Sequence, residues 1–194
     1  METIKRNSWM LVAGLILAMA LTRFNHFGSS VALPDASLAV FFLGGLYLAR
    51  MRGALWVFVA LLAEAALVDY FAVTTQGVSN WCVTPAYGFL AAAYAALWYA
   101  GRWFAPRHTL TGKNLFGVFA VAASASVTAF VISNVSFFLF SGRYADMSAY
   151  EYASRVAQYL GSYVGVALLY VACAIAVHMI VLLKDKPHHG SDLV

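Results

Sequence analysis

Apolar residues occur along the chain in six runs, separated by short polar or basic breaks. The runs cover residues 7–23, 35–49, 53–73, 85–101, 115–140 and 152–183. A helix needs about 20 predominantly apolar residues, within roughly 17–25, to cross the hydrocarbon of a bilayer. The first two runs fall short, so their ends are expected to continue into the flanking loops. The last run is too long, and its start is expected to project from the membrane as an amphipathic extension. No long soluble insertion, internal repeat or low-complexity linker intervenes. The pattern predicts an all-α integral membrane protein, with one six-transmembrane-helix bundle over residues 1–194. The N-terminal run has the charge and apolar order of a signal peptide. It ends in Thr22-Arg23-Phe24-Asn25 with no small-residue cleavage site, which predicts a retained first helix.

Composition agrees with that pattern. Hydrophobic residues make up 63% of the chain and charged residues 10%, whereas soluble domains are about half apolar and a quarter charged. A water-facing surface cannot be built from this stock, so the solvent for the outer faces is the lipid bilayer. The net charge of +4 does not argue for a nucleic-acid partner, because it is confined to short loops. Lys5, Arg6, Arg50, Arg52, Arg102, Arg107, Lys113, Lys184 and Lys186 fall on one side of the runs, and only Arg23, Arg143 and Arg155 on the other. The positive-inside rule puts the rich side in the cytoplasm. Six crossings then give N-in, C-in topology in the inner membrane of a bacterium.

Small residues four apart mark places where helices can approach closely. Ala92 with Ala96 and Gly161 with Gly165 read as packing inside the bundle. Gly14 with Ala18, in the first run, is the best candidate for a face that docks a partner helix.

Most catalytic signatures are missing. There is no glycine loop for nucleotide phosphates, no HExxH, no GxSxG and no paired-cysteine zinc pattern, hence no ATP site in this chain. Polar residues gather instead at the outer ends of the runs. The loop over residues 74–85 is uncharged and holds Cys82 between Trp81 and Pro85. Cys173 lies in mid-run, far from Cys82 in depth, so a disulfide between them is not expected. The Cys82 thiolate suits a soft transition metal, or a nucleophile with a nearby base. Asp69 approaches the same loop from the third run and is expected to accept hydrogen bonds from ligand amides. Glu64, five residues earlier, points elsewhere around the helix. Tyr87 follows the loop, and His26 lies in the outer loop after the first run. Tyr152, Arg155, Tyr159 and Tyr163 share a helical stripe, which reads either as an interfacial aromatic belt or as the wall of a pocket. Asn134 and Ser136 can add hydrogen bonds. His178 reads as interfacial, and His188-His189 as part of a solvated tail.

In length, in helix count and in the segment from Asp69-Tyr70 to Asn80-Trp81-Cys82-Val83-Thr84-Pro85-Ala86-Tyr87, the chain resembles BtuM, a family of cobalamin-specific S components of energy-coupling-factor (ECF) type transporters. The resemblance implies cobalamin captured from the periplasmic side, with Cys82 as ligand to the cobalt. It implies substrate contacts at His26, Asp69, Tyr87 and Arg155, with Tyr159 on the same wall, and an accessory role for Cys82 in removing the cyano ligand. It also implies an ECF coupling module as partner, a transmembrane T component with two ATPases on separate chains. In such components the first helix carries an Ala-xxx-Ala docking contact, where this chain has Gly14 and Ala18. The residues themselves leave three alternatives: a membrane enzyme with Cys82 as nucleophile and His26 as base, an S component for a smaller vitamin, and an ion-coupled transporter using Glu64 and Asp69.

Overall fold

A computed structural model describes residues 2–23, 33–75, 77–107 and 111–184. Among the described residues there are six α-helices and no strand: α1 (Glu2–Arg23), α2 (Ser37–Tyr47), α3 (Ala54–Thr75), α4 (Leu90–Phe104), α5 (Gly112–Phe140) and α6 (Ala149–Lys184). Three of them, α3, α5 and α6, are long and apolar enough to cross a membrane, the length and composition of a helical membrane protein. Their outer faces carry Leu55, Trp56, Leu67, Val131, Leu169 and Val177 in the open, a surface that hydrocarbon solvates and water does not.

The helix bounds follow the apolar runs, with three physical differences. The run at 85–101 begins not as an α-helix but as a 3₁₀ segment, Pro85–Phe89, which leads into α4. Pro85 supplies no N–H and sits at the first position of that segment, where none is needed. The start of α6 extends beyond the expected run, to Ala149. The largest difference is α2, whose 11 residues span about 16 Å at 1.5 Å per residue, about half a bilayer core. It is the hub of the bundle: α2 touches each of the other five helices, and every residue from Ser37 to Leu46 is buried.

Close approach to α2 depends on glycine. A methyl group added at Gly45 would fall on the Trp98 carbonyl, one at Gly44 on the Trp98 ring, and one at Gly101 on the Phe42 carbonyl. These three positions make the tight α2–α4 crossing. The pairs expected to pack do not: Gly161 and Gly165 face open space, and Ala92 is exposed. Around the crossing an aromatic column stabilises the core. Phe41 stacks on Tyr94 with centroids 4.2 Å apart, and Phe58 meets both Phe41 and Trp98 edge-on. Tyr170 donates to the Pro34 carbonyl at 2.7 Å, and Tyr47 Oη lies 3.2 Å from His178 Nδ1. Both ends of α2 are thereby tied to α6, and His178 has a partner in the bundle besides any interfacial role.

Because the Gly45 and Gly101 contacts are with backbone, they cannot relax by a rotamer change. Gly45→Val and Gly101→Val are each expected to destabilise by about 1–3 kcal/mol or more. Gly14→Val should be neutral, since a methyl there meets no atom within 4 Å. Heating the detergent-solubilised variants and following the monodisperse fraction by size-exclusion chromatography checks the contrast.

Candidate functional site

The outer end of the bundle is organised around Arg23, the last residue of α1, which is only 2% exposed. A guanidinium removed from water needs partners for its five N–H groups, and the surrounding elements supply partners for four of them. Arg23 Nε donates to Asp69 Oδ1 at 2.8 Å and Nη2 to Asp69 Oδ2 at 2.7 Å, a bidentate pair. Nη1 donates to Ser37 Oγ and to Tyr94 Oη, both at 2.8 Å, and lies 3.5 Å from Asp35 Oδ2. Asp35 Oδ1 in turn accepts from the backbone N–H and the hydroxyl of Ser37, at 2.8 and 2.6 Å. This holds the start of α2. Tyr87 Oη donates to Asp69 Oδ2 at 2.7 Å, extending the network to the segment that follows Cys82.

Above the network opens a cavity of about 520 Å³. Arg23, Asp35 and Asp69 form its floor. Cys82, Val83 and Tyr87 form one wall, Ser133, Asn134 and Phe137 of α5 a second, and Tyr159, Ser162 and Tyr163 of α6 a third. That size suits the enclosed part of a small-molecule ligand, and the lining mixes aromatic faces with a few polar groups in the usual manner of such sites. Tyr152 is buried and donates to Asn134 Oδ1 at 3.2 Å, so the first tyrosine of the α6 stripe braces α5.

Of the residues singled out by sequence, Asp69, Cys82, Tyr87, Asn134, Tyr159 and Tyr163 therefore meet at one cavity. Arg155 does not join them. Its side chain is 62% exposed and pairs with Glu151 at 2.9 Å, one turn back along α6. At about 100° per residue it stands some 60° off Tyr152, on the edge of the stripe, and the solvated carboxylate there takes it. Asp69 is held by protein partners: its oxygens accept three hydrogen bonds from Arg23 and Tyr87, so it fixes these two side chains. Glu64 does not line the cavity and shares no hydrogen bond with the network. Ser136 is buried and donates to the Ser133 carbonyl within α5. His26 lies outside the described residues. Gly14 and Ala18 lie on α1 away from the cavity. Sequence reasoning missed Arg23, Asp35, Ser37 and Tyr94. The available signal was one arginine closing an apolar run, level with two aspartates at the outer ends of two others.

Cys82 ends a 3₁₀ turn, Asn80–Cys82, fixed by Ser79 Oγ accepting from Trp81 N at 3.2 Å. The thiol is free and half-buried. Burial pushes its pKa above the ordinary thiol value and the Asp69 carboxylate adds to this, while the Arg143 guanidinium opposes both. At neutral pH the resting group is the neutral thiol. Among the described residues, no three His, Cys, Asp or Glu side chains gather where they could hold a bare metal ion. Cys173 is free and exposed on α6. No family model matches the chain, and no curated protein matches it.

The network and the thiol each generate an expectation. Arg23→Gln or Asp69→Asn alone leaves a buried charge without its main partner and should cost about 3–5 kcal/mol. The double variant should recover part of that loss, so thermal stabilities measured as a double-mutant cycle should be clearly non-additive. In a Cys173→Ser background, alkylation of Cys82 should be slow at pH 7. It should quicken about tenfold per pH unit while the pH stays below the thiol pKa, because only the thiolate reacts. Arg143→Gln removes the opposing cation, raises the thiol pKa further and should slow the reaction at a given pH. Mass spectrometry of quenched samples provides the rates.

Proposed function

We propose that this chain is a cobalamin-capturing S component of ECF type. It would sit in a bacterial inner membrane with six crossings, both termini cytoplasmic and the cavity open to the periplasm. The observation that carries this reading is a single free thiol, Cys82, on the wall of a polar and aromatic cavity, without the companions that a bare ion requires. One thiolate can only complete the coordination of a metal that arrives already ligated. The cobalt of a corrinoid is such a metal: four nitrogens hold it in the ring plane and only its axial positions exchange. A soft donor suits it. Tyr87, Phe137, Tyr159 and Tyr163 offer flat faces to the macrocycle, and Ser133, Asn134 and Ser162 offer partners to its peripheral amides. The corrinoid is larger than the cavity, so its fringe would remain at the mouth.

Ligation replaces the thiol proton by cobalt, and the proton goes to solvent. The thiolate donates electron density along the axis and weakens the bond to the group on the opposite face. A cyanide there would leave with its bonding pair as cyanide ion, cobalt keeping its oxidation state. Export of the captured ligand to the cytoplasm requires an energy source outside this chain, the ECF coupling module. The outward side of α1, with Trp9, Met10, Gly14 and Leu17 exposed and Ala18 beside them, supports a helix-docking face there. The nine-to-three division of basic residues supports the orientation.

Protein purified from cells supplied with cobalamin should be coloured, and Cys82→Ser should change its visible spectrum. The hydroxyl is hard and weakly donating where the thiolate was soft, so cyanide release from cyanocobalamin should slow or stop. Cys173→Ser should leave both unchanged. An unaltered spectrum and unaltered cyanide release in Cys82→Ser would refute cobalt–thiolate ligation.

A further inference from the structure

Three basic residues stand at the outer ends of the helices: Arg23, Arg143 and Arg155. Two are committed to carboxylates, Arg23 to Asp69 and Asp35, and Arg155 to Glu151. Arg143 differs. It is exposed in the turn between α5 and α6, and among the described residues it pairs with no carboxylate. Instead its Cζ lies 4.2 Å from the centroid of the Trp81 ring, and Trp81 is the residue before Cys82. The turn that brings it there is specific. Gly142 adopts φ +68°, a conformation other residues rarely take, and Ser141 Oγ accepts from Arg143 N at 3.2 Å. Stacking occupies the face of the guanidinium and leaves its N–H edge free for a planar acceptor such as a phosphate.

The cavity floor cannot take an anion. There two carboxylates face one guanidinium, and Arg23 has given four of its five N–H groups to protein partners. An anionic group on the ligand must therefore stay off the floor, and Arg143, stacked on the residue before Cys82, is the cation outside the cavity lining whose charge reaches the thiol. Cobalamin carries one such group, the phosphodiester of the nucleotide loop. That loop hangs from the face of the corrin that offers the lower axial position. If Cys82 takes this position, it displaces the ligand's own base, and the freed nucleotide lies on the Cys82 side.

We propose that Arg143, held on Trp81, recognises the phosphodiester of the bound corrinoid and so distinguishes a complete cobalamin from a corrinoid lacking its nucleotide. This rests on the cobalamin reading above. The test compares dissociation constants of cobalamin and of cobinamide, which has the corrin but no nucleotide or phosphodiester, for detergent-purified wild type, Arg143→Gln and Arg143→Lys. The glutamine variant should weaken cobalamin binding roughly three- to tenfold more than cobinamide binding, any loss through the Cys82 thiol falling on both alike, the scale of one partly exposed charge-assisted contact. The difference should shrink as salt is raised, the lysine variant should lie between, and the thiolate-ligated spectrum should persist in all three. Equal weakening toward both corrinoids, or none toward either, overturns the assignment of Arg143 while leaving the cobalamin reading standing. Failure of the wild type to bind either corrinoid overturns that reading and this one with it.

Discussion

The outer half of the molecule depends on the desolvation of one guanidinium. A charge at the end of an apolar helix is costly unless every donor is satisfied, and Arg23 is satisfied only when four elements converge on it. Asp69 comes from α3, Tyr94 from α4, Ser37 from α2, and Asp35 from the turn before α2. Remove the arginine and two carboxylates are left facing each other in a half-dry cavity. Keep it, and the ends of four helices have one shared geometry. The value of such a group lies less in net stability than in specifying a single arrangement. Here that arrangement is the floor of the candidate site.

The inner part of the bundle solves a different problem, that of seating a short helix with no lipid-facing side. Because α2 is buried all round, its neighbours must approach it closely, and without a hydrophobic driving force in lipid that approach relies on shape. Gly44, Gly45 and Gly101 remove the side chains that would hold α2 and α4 apart, and Trp98 fills the space beside them. The aromatic column of Phe58, Phe41 and Tyr94 then runs from this crossing up to the Arg23 network, since Tyr94 stacks on Phe41 and accepts from Arg23. Packing and polar networks thus meet at one residue.

These features were unequally legible in the sequence. Hydropathy runs locate helices because the period and length of burial in lipid are coarse requirements, and all six helices lie where the runs predicted them. What a run does not reveal is whether its solvent is lipid or protein. For that reason α2 reads as a short helix in lipid, whereas every residue from Ser37 to Leu46 is buried in protein. Depth along a helix was also legible, bringing Asp69, Cys82 and Tyr87 to one level. Pairing was not. Arg23 and Arg155 look alike as outer cations, and only the positions of Asp69 and Glu151 decide that one is buried and the other solvated. The close glycines were likewise hidden, because four-residue spacing within one helix carries no information about the partner that must fit against it.

The network also bears on how a ligand at Cys82 could be felt by α1. Asp69 holds Arg23 through both oxygens, charge against charge, and holds Tyr87 through one oxygen that it already shares. The tyrosine bond is therefore the weaker of the two, a neutral hydroxyl against a bidentate cation. A ligand that draws the segment around Cys82 and Tyr87 toward itself breaks that bond first and leaves the helix ends fixed. Asp69 would then regain a lone pair on the oxygen that Tyr87 had occupied. Only a larger displacement would disturb Arg23, and with it α1, whose outward face supports the proposed docking. On the proposed reading, capture would disturb the single Tyr87 bond and coupling the bidentate Arg23 pair, two interactions of different strength at one carboxylate.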